Sequence, residues 1–400
     1  MSLNKRKNSQ EELSPFSSIG QNKKKLIKII SSHPTPFFVS DRIIINRQFN
    51  ETDQALNQHW GQNHAVAYSL KTNYDLILPI KNLGAWAEVV SSRELELAFQ
   101  YQFSPQSIIY NGPLKSKASL LKSLGHKVIV NVDNPQELKT ILSLKDQIKK
   151  IEICLRLNPY KHDYRFGFPI NSQITLKTIN LIKKSNQIKL VGFHTHLGSD
   201  INKLSIYSYA AVSITRFLNS LDTKLILSIK YFDIGGGFPS NGLKPYYYKI
   251  WQPEPINNYI KTICKIIKPV FDQQNLPKLI VEPGRYLTDD STIFMTKIVN
   301  LKDTPRGQIL TVDGAITMLP LIYYRPQIVR LYSNNFTLKQ SLTRKSLVYG
   351  STCKQDDILY KKPLPTAEIN DYLIFFCTGA YNLNLSPDFI FDKPKTYFIN

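Results

Sequence analysis

The sequence is short of cysteine, of acidic residues and of long apolar runs, and each shortage excludes something. Only four cysteines occur in 400 residues: Cys154, Cys264, Cys353 and Cys377. Their wide spacing matches neither a zinc motif nor a disulfide framework, so no metal site is expected. Cys154 and Cys377 sit in apolar, strand-like runs and read as small buried side chains. Cys353 differs, lying in the polar stretch Gly350-Ser351-Thr352-Cys353-Lys354-Gln355-Asp356-Asp357. Asp and Glu number 30 against 51 Lys and Arg, a net charge of +21. That balance suits nucleic acid, but the lysines are scattered, concentrating only around Lys23-Lys24-Lys25-Leu26-Ile27-Lys28, and no nucleic-acid motif accompanies them. A solvated basic surface is the favoured reading, with an acidic substrate or acidic protein partner behind it. No apolar run is long enough to span a bilayer. The start, Met1-Ser2-Leu3-Asn4-Lys5-Arg6-Lys7, leads into polar residues rather than an apolar signal segment, so a cytoplasmic protein without membrane attachment is expected.

What is present is a globular composition: 42% hydrophobic and 20% charged residues, in a chain long enough for two domains. Residues 1–32 read as a polar tail passing into a short helix. From there short apolar strands alternate with amphipathic helices. The strands are expected near Val66–Leu70, Trp86–Ser91, Ser107–Asn111, Lys127–Asn131, Ile151–Leu157, Leu190–His196, Tyr231–Ile234 and Lys278–Val281. Asn134-Pro135 pairs a cap residue with a proline at the first helical position. Eight such strands predict a (β/α)8 TIM-like barrel over 45–285; an open doubly wound sheet is the alternative, since strand count alone does not demand closure. After about Thr288 the pattern changes to strands joined by turns. An all-β second domain of antiparallel strands is expected over 286–400, with the early strand at Pro36–Asp41 joining it as part of a 33–44 segment.

The chemistry-bearing residues fall at strand ends. Ala65-Val66-Ala67-Tyr68-Ser69-Leu70-Lys71 ends an apolar strand on a lysine, where burial favours the neutral amine needed for a Schiff base. Strand six ends in His194-Thr195-His196-Leu197-Gly198-Ser199, strand seven in Asp233-Ile234-Gly235-Gly236-Gly237, and strand eight in Glu282-Pro283-Gly284-Arg285. Three glycines let the backbone approach an anion closely, and Ser199 and Arg285 add donors, so a phosphate site late in the barrel is predicted. A Schiff-base lysine facing a phosphate site implies pyridoxal 5′-phosphate, with Glu282 as the anion at its pyridine nitrogen and His196 stacking on its ring.

These motifs, with Ala87-Glu88-Val89-Val90-Ser91, Tyr110-Asn111-Gly112-Pro113-Leu114-Lys115, Cys353 and Gly379-Ala380-Tyr381 in the same order, resemble the ornithine/diaminopimelate decarboxylase family of alanine-racemase-type pyridoxal-phosphate enzymes, closer to its diaminopimelate branch. The resemblance runs from Pro36 to Phe398. It implies that Lys71 carries the cofactor, that Ser199, Gly235, Gly236, Gly237, Gly284, Arg285 and Tyr381 hold the phosphate, and that Glu88 and Arg156 order the site around the lysine. It also implies a head-to-tail homodimer in which the partner subunit's Cys353 helps protonate the substrate after carbon dioxide leaves.

The chain departs from the family where the substrate is read. The residue after the cysteine, an acid in the family, is Lys354. Leu319 stands where the diaminopimelate branch has a carboxylate-binding arginine, while Tyr323 is kept and Tyr324 stands where ornithine enzymes have an Asp. Arg165 replaces a lysine. A cation in a pocket built for a cation reverses the preferred charge, so a small amino-acid substrate with an acidic or neutral distal end is expected: a siderophore or antibiotic precursor, or an aminoacyl group on an acidic carrier protein. An ordinary meso-diaminopimelate decarboxylase, with Lys354 bent into solvent, is the alternative. A racemase on the same fold would need an acid/base residue opposite Lys71, and a cofactor-binding regulator would need neither Lys71 nor Cys353.

Overall fold

The computed structural model describes residues 19–160, 165–240, 244–246, 249–251, 253–325, 327–340 and 342–399. Residues 1–18 of the expected polar tail lie outside these residues. The chain divides into two compact units: Arg47–Pro239 with Glu254–Gly284, and Met1–Asn46 with Ser240–Pro253 and Arg285–Asn400.

The first unit is a closed barrel of eight parallel strands: His64–Ser69, Trp86–Val89, Ile108–Tyr110, Ile129–Val132, Ile151–Asn158, Ile188–His194, Tyr231–Asp233 and Lys278–Val281. Each pairs with the next, and Val66 of the first strand pairs with Val281 of the eighth, which closes the ring and excludes the open sheet. Helices between them start on short polar caps. The Asn134 side chain accepts from the Glu137 amide ahead of Pro135, and the Ser91 hydroxyl accepts from Glu94, each relieving amide groups that no helical carbonyl can reach. Inside, Ala65, Ala67, Ile109, Ile129, Cys154, Val191 and Ile280 form the apolar plug. Cys154 is thus a buried core thiol, as its apolar surroundings in the sequence imply.

The barrel register sets up the site. Arg156 pairs with His194, and His194 with Asp233, across the C-terminal ends of strands five, six and seven. Ser69 pairs with Glu88 across strands one and two. Directly paired residues share a face of the sheet, so polar side chains collect at one end of the ring.

The second unit is a mostly antiparallel sheet. Strands Ile328–Tyr332, Tyr372–Phe376, Thr292–Thr304, Gly307–Val312, Ser346–Tyr349 and Ile358–Tyr360 lie side by side. Phe37–Asp41 adds to Thr292–Thr304, as its apolar sequence implies. Two pairings are parallel, against the antiparallel expectation: Phe37–Asp41 with Thr396–Ile399, and Gly307–Val312 with Ser346–Tyr349. These partners are distant in sequence, so no hairpin dictates their direction. The short helix expected where the polar tail ends is present over Ile19–Ser32, and Leu26 is fully buried beside Phe37, Ile374 and Ile399. The lysines around it supply the polar face of an amphipathic helix. Among the described residues no helix is long and apolar enough to cross a membrane.

Candidate active site

Strand one stops at Ser69, and Lys71 sits two residues later in a single 3-10 turn, Leu70–Thr72, rather than on the strand itself. The turn is built locally. The Tyr68 hydroxyl donates to the Asn73 carbonyl at 2.7 Å, and the Asn73 side chain accepts from the Asp75 amide at 3.0 Å. Gly284 closes on the same turn, because a Cβ there would collide with the Thr72 hydroxyl. The Lys71 ammonium bonds directly to the Glu88 carboxylate, which is buried at the end of strand two. Burial therefore does not leave Lys71 as an isolated amine; a charge partner orients it.

Glu88 is one member of a hydrogen-bonded chain. Asn111, just past strand three, donates to Glu88 Oε1 at 3.0 Å and to Glu282 Oε1 at 2.7 Å. Asn131 of strand four in turn donates to Asn111 Oδ1 at 2.7 Å. Lys115 lies beneath, fully buried, bonded to the carbonyls of Gly112 and Asn131 and to Glu137 at 2.8 Å. One amide thus bridges the lysine's partner and the carboxylate assigned to the pyridine nitrogen.

His194 and Asp233 stand around Glu282. Both are buried, and their ligand atoms and those of Glu282 lie within 4.8 Å of one another. Burial, reinforced by the Arg156 charge, holds the His194 pKa well below the usual histidine range. Burial also lowers His196 to about 4, so its ring is neutral near pH 7. The Gly236 amide donates to His196 Nδ1 at 3.1 Å, which leaves the ring proton on Nε2. Arg156 is tied to Asp133 at 3.0 Å and rests over the Phe166 ring. Arg165 also lies over that ring and is exposed.

The glycine turn has no room for side chains. A Cβ on Gly236 would strike the Glu282 carbonyl, and Gly237, at φ +89°, would strike the carbonyl of Gly198. Tyr207 fastens the turn by donating to the Gly236 carbonyl at 3.1 Å. Ser199 is exposed beside Gly198, and Gly235 donates its amide to Asp233 Oδ1 at 2.8 Å.

In the second unit Arg285 stacks over the Tyr381 ring, with Asp289 3.6 Å from Nη1. Its Nε and Nη1 are buried without a hydrogen-bond acceptor, which suits an incoming anion. Asp289 also pairs with Arg325 at 3.1 Å. Cys353 is exposed on a loop fastened by one buried carboxylate. Asp357 accepts from the amides of Ile316 at 2.8 Å and Thr352 at 2.9 Å, and from the Thr352 hydroxyl. Lys354 lies on this loop, 40% exposed, 3.5 Å from the Asp356 carboxylate. Tyr323 reaches the Asp356 carbonyl at 3.4 Å, and Tyr324 is exposed. Leu319 is fully buried in the apolar core of this unit.

The residues present fit pyridoxal phosphate: an amine on Lys71, a buried carboxylate on Glu282, a glycine turn open at its backbone, and a guanidinium with donors to spare. The structure unites Lys71, Glu88, Arg156, His196, Gly235, Gly236, Gly237, Glu282 and Gly284 in the barrel unit. Arg285, Tyr323, Cys353, Lys354 and Tyr381 belong to the β unit. Sequence reasoning missed Asn111, Asn131, His194 and Asp233 as site members, although all lie in or beside quoted motifs. Their signal was position, a polar residue at the end of an apolar barrel strand.

Comparison with known proteins agrees. Residues 43–289 match the family "Pyridoxal-dependent decarboxylase, pyridoxal binding domain". The diaminopimelate decarboxylase of Bacillus methanolicus is 29% identical over 399 residues, covering 93% of this chain and 90% of that protein. The fold is shared with diaminopimelate decarboxylase from Helicobacter pylori, solved with L-lysine (22% identity, TM-score 0.81, 94% of each chain). It is also shared with the lysine/ornithine decarboxylase of Vibrio vulnificus, solved with putrescine (20% identity, TM-score 0.78, 94% of this chain and 98% of that one). A Lys71–Glu88 pair, a glycine turn and Glu282 at the mouth of a closed barrel are what a pyridoxal cofactor requires, and with the family match over most of the barrel they establish that this chain belongs to the pyridoxal-dependent decarboxylases, carboxy-lyases that act on amino acids with pyridoxal 5′-phosphate.

Proposed function

We propose that the chain removes the α-carboxylate of an amino acid whose distal end is acidic or neutral rather than an ammonium. The observation that carries this reading is Lys354, an exposed cation on the Cys353 loop at the position where the family resemblance calls for an acid. Leu319 supports it. Packed in the apolar core, it offers no charge where the diaminopimelate branch has an arginine. Neither a leucine in the core nor a cation on the loop is what the resemblance expects for meso-diaminopimelate, and like charge facing a substrate ammonium is penalised.

A second reading, an ordinary meso-diaminopimelate decarboxylase, is favoured by Asp356. This carboxylate is more exposed than Lys354, lies on the same loop and partly neutralises the lysine. The names of the related proteins point the same way.

Bound pyridoxal phosphate supplies an electron sink for the pair left behind when carbon dioxide departs. The chain supplies orientation and charge. Glu88 aims the Lys71 amine. Glu282, held by Asn111, would be the anion for the pyridine nitrogen. Neutral His196 would stack on the ring without adding charge. The resemblance assigns Gly235, Gly236, Gly237, Ser199, Arg285 and Tyr381 as the residues that would hold the phosphate. Cys353 delivers a proton to the substrate α-carbon, from a second copy of the chain in a head-to-tail homodimer. The basic surface, net +21, suits an acidic carrier protein if the substrate arrives tethered.

The test is a substrate panel on purified, cofactor-loaded protein, with carbon dioxide release and product mass and chirality measured. The panel holds meso-diaminopimelate, ornithine, lysine, arginine, glutamate and citryl-diamino acids. Carbon dioxide from an acid-ended or neutral-ended compound is expected. Turnover of meso-diaminopimelate alone sinks the charge-reversed reading, and inverted substrate without loss of mass makes the chain a racemase.

A further inference from the structure

Glu282 is not the only carboxylate in its pocket. Asp233 is 2% exposed and Glu282 3% exposed, and with His194 their ligand atoms fall within 4.8 Å of one another. Two carboxylates this close and this buried do not both ionise; one keeps a proton. The hydrogen bonds identify which. Glu282 Oε1 accepts from Asn111 at 2.7 Å. Asp233 Oδ1 accepts from the Gly235 amide at 2.8 Å, while Oδ2 finds no donor. An acceptor oxygen without a donor, on a carboxyl group that neighbours a second carboxylate, is satisfied when it carries the proton itself.

We propose that Asp233 is a positioning residue: as a neutral acid it donates a hydrogen bond from Oδ2 to Glu282, holding Glu282 as the single anion presented to the cofactor's pyridine nitrogen. His194 completes the arrangement as a neutral ring. Its Nε2 is 3.7 Å from Glu282 Oε1, and neither ring nitrogen has a hydrogen-bond partner. Burial and then the charge and hydrogen bond of Glu282 raise the Asp233 pKa far above the usual carboxylate range. The other charges near the triad are already matched: Glu88 by Lys71, and Arg156 by Asp133. Asp233 also holds the Gly235 amide, so one carboxyl group ties the glycine turn to the pyridine partner.

The proposal rests on Glu282 as the pyridine partner, and the experiment separates the two. Protein is loaded with cofactor labelled with 15N at the ring nitrogen, whose chemical shift reports ring protonation, and cofactor affinity and kinetics are measured alongside. Asp233→Asn keeps both the acceptor for Gly235 and a donor for Glu282. Its 15N shift is expected to match the parent protein, with cofactor affinity within about threefold. Asp233→Ala loses the donor; its shift should move toward the neutral ring, with kcat falling more than KM changes. A neutral-ring shift in Asp233→Asn overturns the proposal, because it means that Asp233 acts as an anion; this variant decides the matter even if the alanine variant fails to fold. Glu282→Gln tests the underlying reading: an unchanged shift there removes Glu282 from the pyridine nitrogen, whatever the Asp233 variants do. A stoichiometric divalent metal in cofactor-free protein that is lost in Asp233→Asn would make the triad a metal site and also overturn the proposal.

Discussion

The barrel mouth and the Cys353 loop solve opposite problems. At the barrel mouth, five ionisable or amide side chains from different strands or strand ends, Glu88, Asn111, His194, Asp233 and Glu282, are buried within one network. On the loop, Cys353 and Lys354 are exposed, and one buried carboxylate, Asp357, fastens the backbone. A buried network is costly to alter, because each lost partner strands another polar group. An exposed loop tolerates substitution. Of the residues where the resemblance expects others, Lys354 and Tyr324 fall in exposed positions and Leu319 in the core.

The sharpest way to test that contrast is to remove Lys71. Lys71→Ala should lower turnover on the order of 10³-fold or more, the scale of losing a nucleophile that acts as a unit with its neighbours. The thermal unfolding midpoint of the cofactor-free protein should fall as well, because the buried Glu88 carboxylate loses its charge partner. Acid should separate the regions next. His196 is depressed to about 4 from 6.5, so the unfolded chain takes up its proton first as pH falls. Its stabilising contribution is complete above about pH 6.5 and disappears on descent to about pH 4, by up to about 3 kcal/mol. Urea unfolding at stepped pH, repeated with His196→Gln, measures it; equal slopes in both proteins would refute the assignment.

Asp357→Ala comes next, because the loop depends on one anchor. It strands the amides of Ile316 and Thr352, at a cost of about 1–3 kcal/mol for the buried group. Urea denaturation should register that loss while cofactor affinity is kept. Lys354→Glu should change stability least, by less than about 0.5 kcal/mol, as exposed pairs do. Its effect should appear in selectivity, with turnover of acid-ended substrates falling and that of ammonium-ended ones rising. Unchanged activity on acid-ended compounds would end the charge-reversal reading.

Much of the first region was legible. Lys71, Gly235–Gly237 and Glu282 stand out because a lysine, a glycine run and an acid each break the apolar pattern where a strand stops. The barrel was legible for the same reason, from the period of its strands. Asn111, His194 and Asp233 were harder to single out. An asparagine, histidine or aspartate after a strand is ordinary turn chemistry until its partners are known. The position of Lys71 was misjudged by one short turn, because a single 3-10 turn leaves no periodic signal.

The sequence by itself therefore determined the strand–helix order and the family, because these depend on local spacing and on residue types with few alternative uses. Only the tertiary structure decided that Asn111 joins Glu88 to Glu282, that Asp233 faces Glu282, that Leu319 is core rather than pocket, and that Lys354 rests beside Asp356. Each of these depends on which strand or loop closes against which. Ring closure brings strand one beside strand eight, more than two hundred residues apart, and no local pattern encodes the burial that follows.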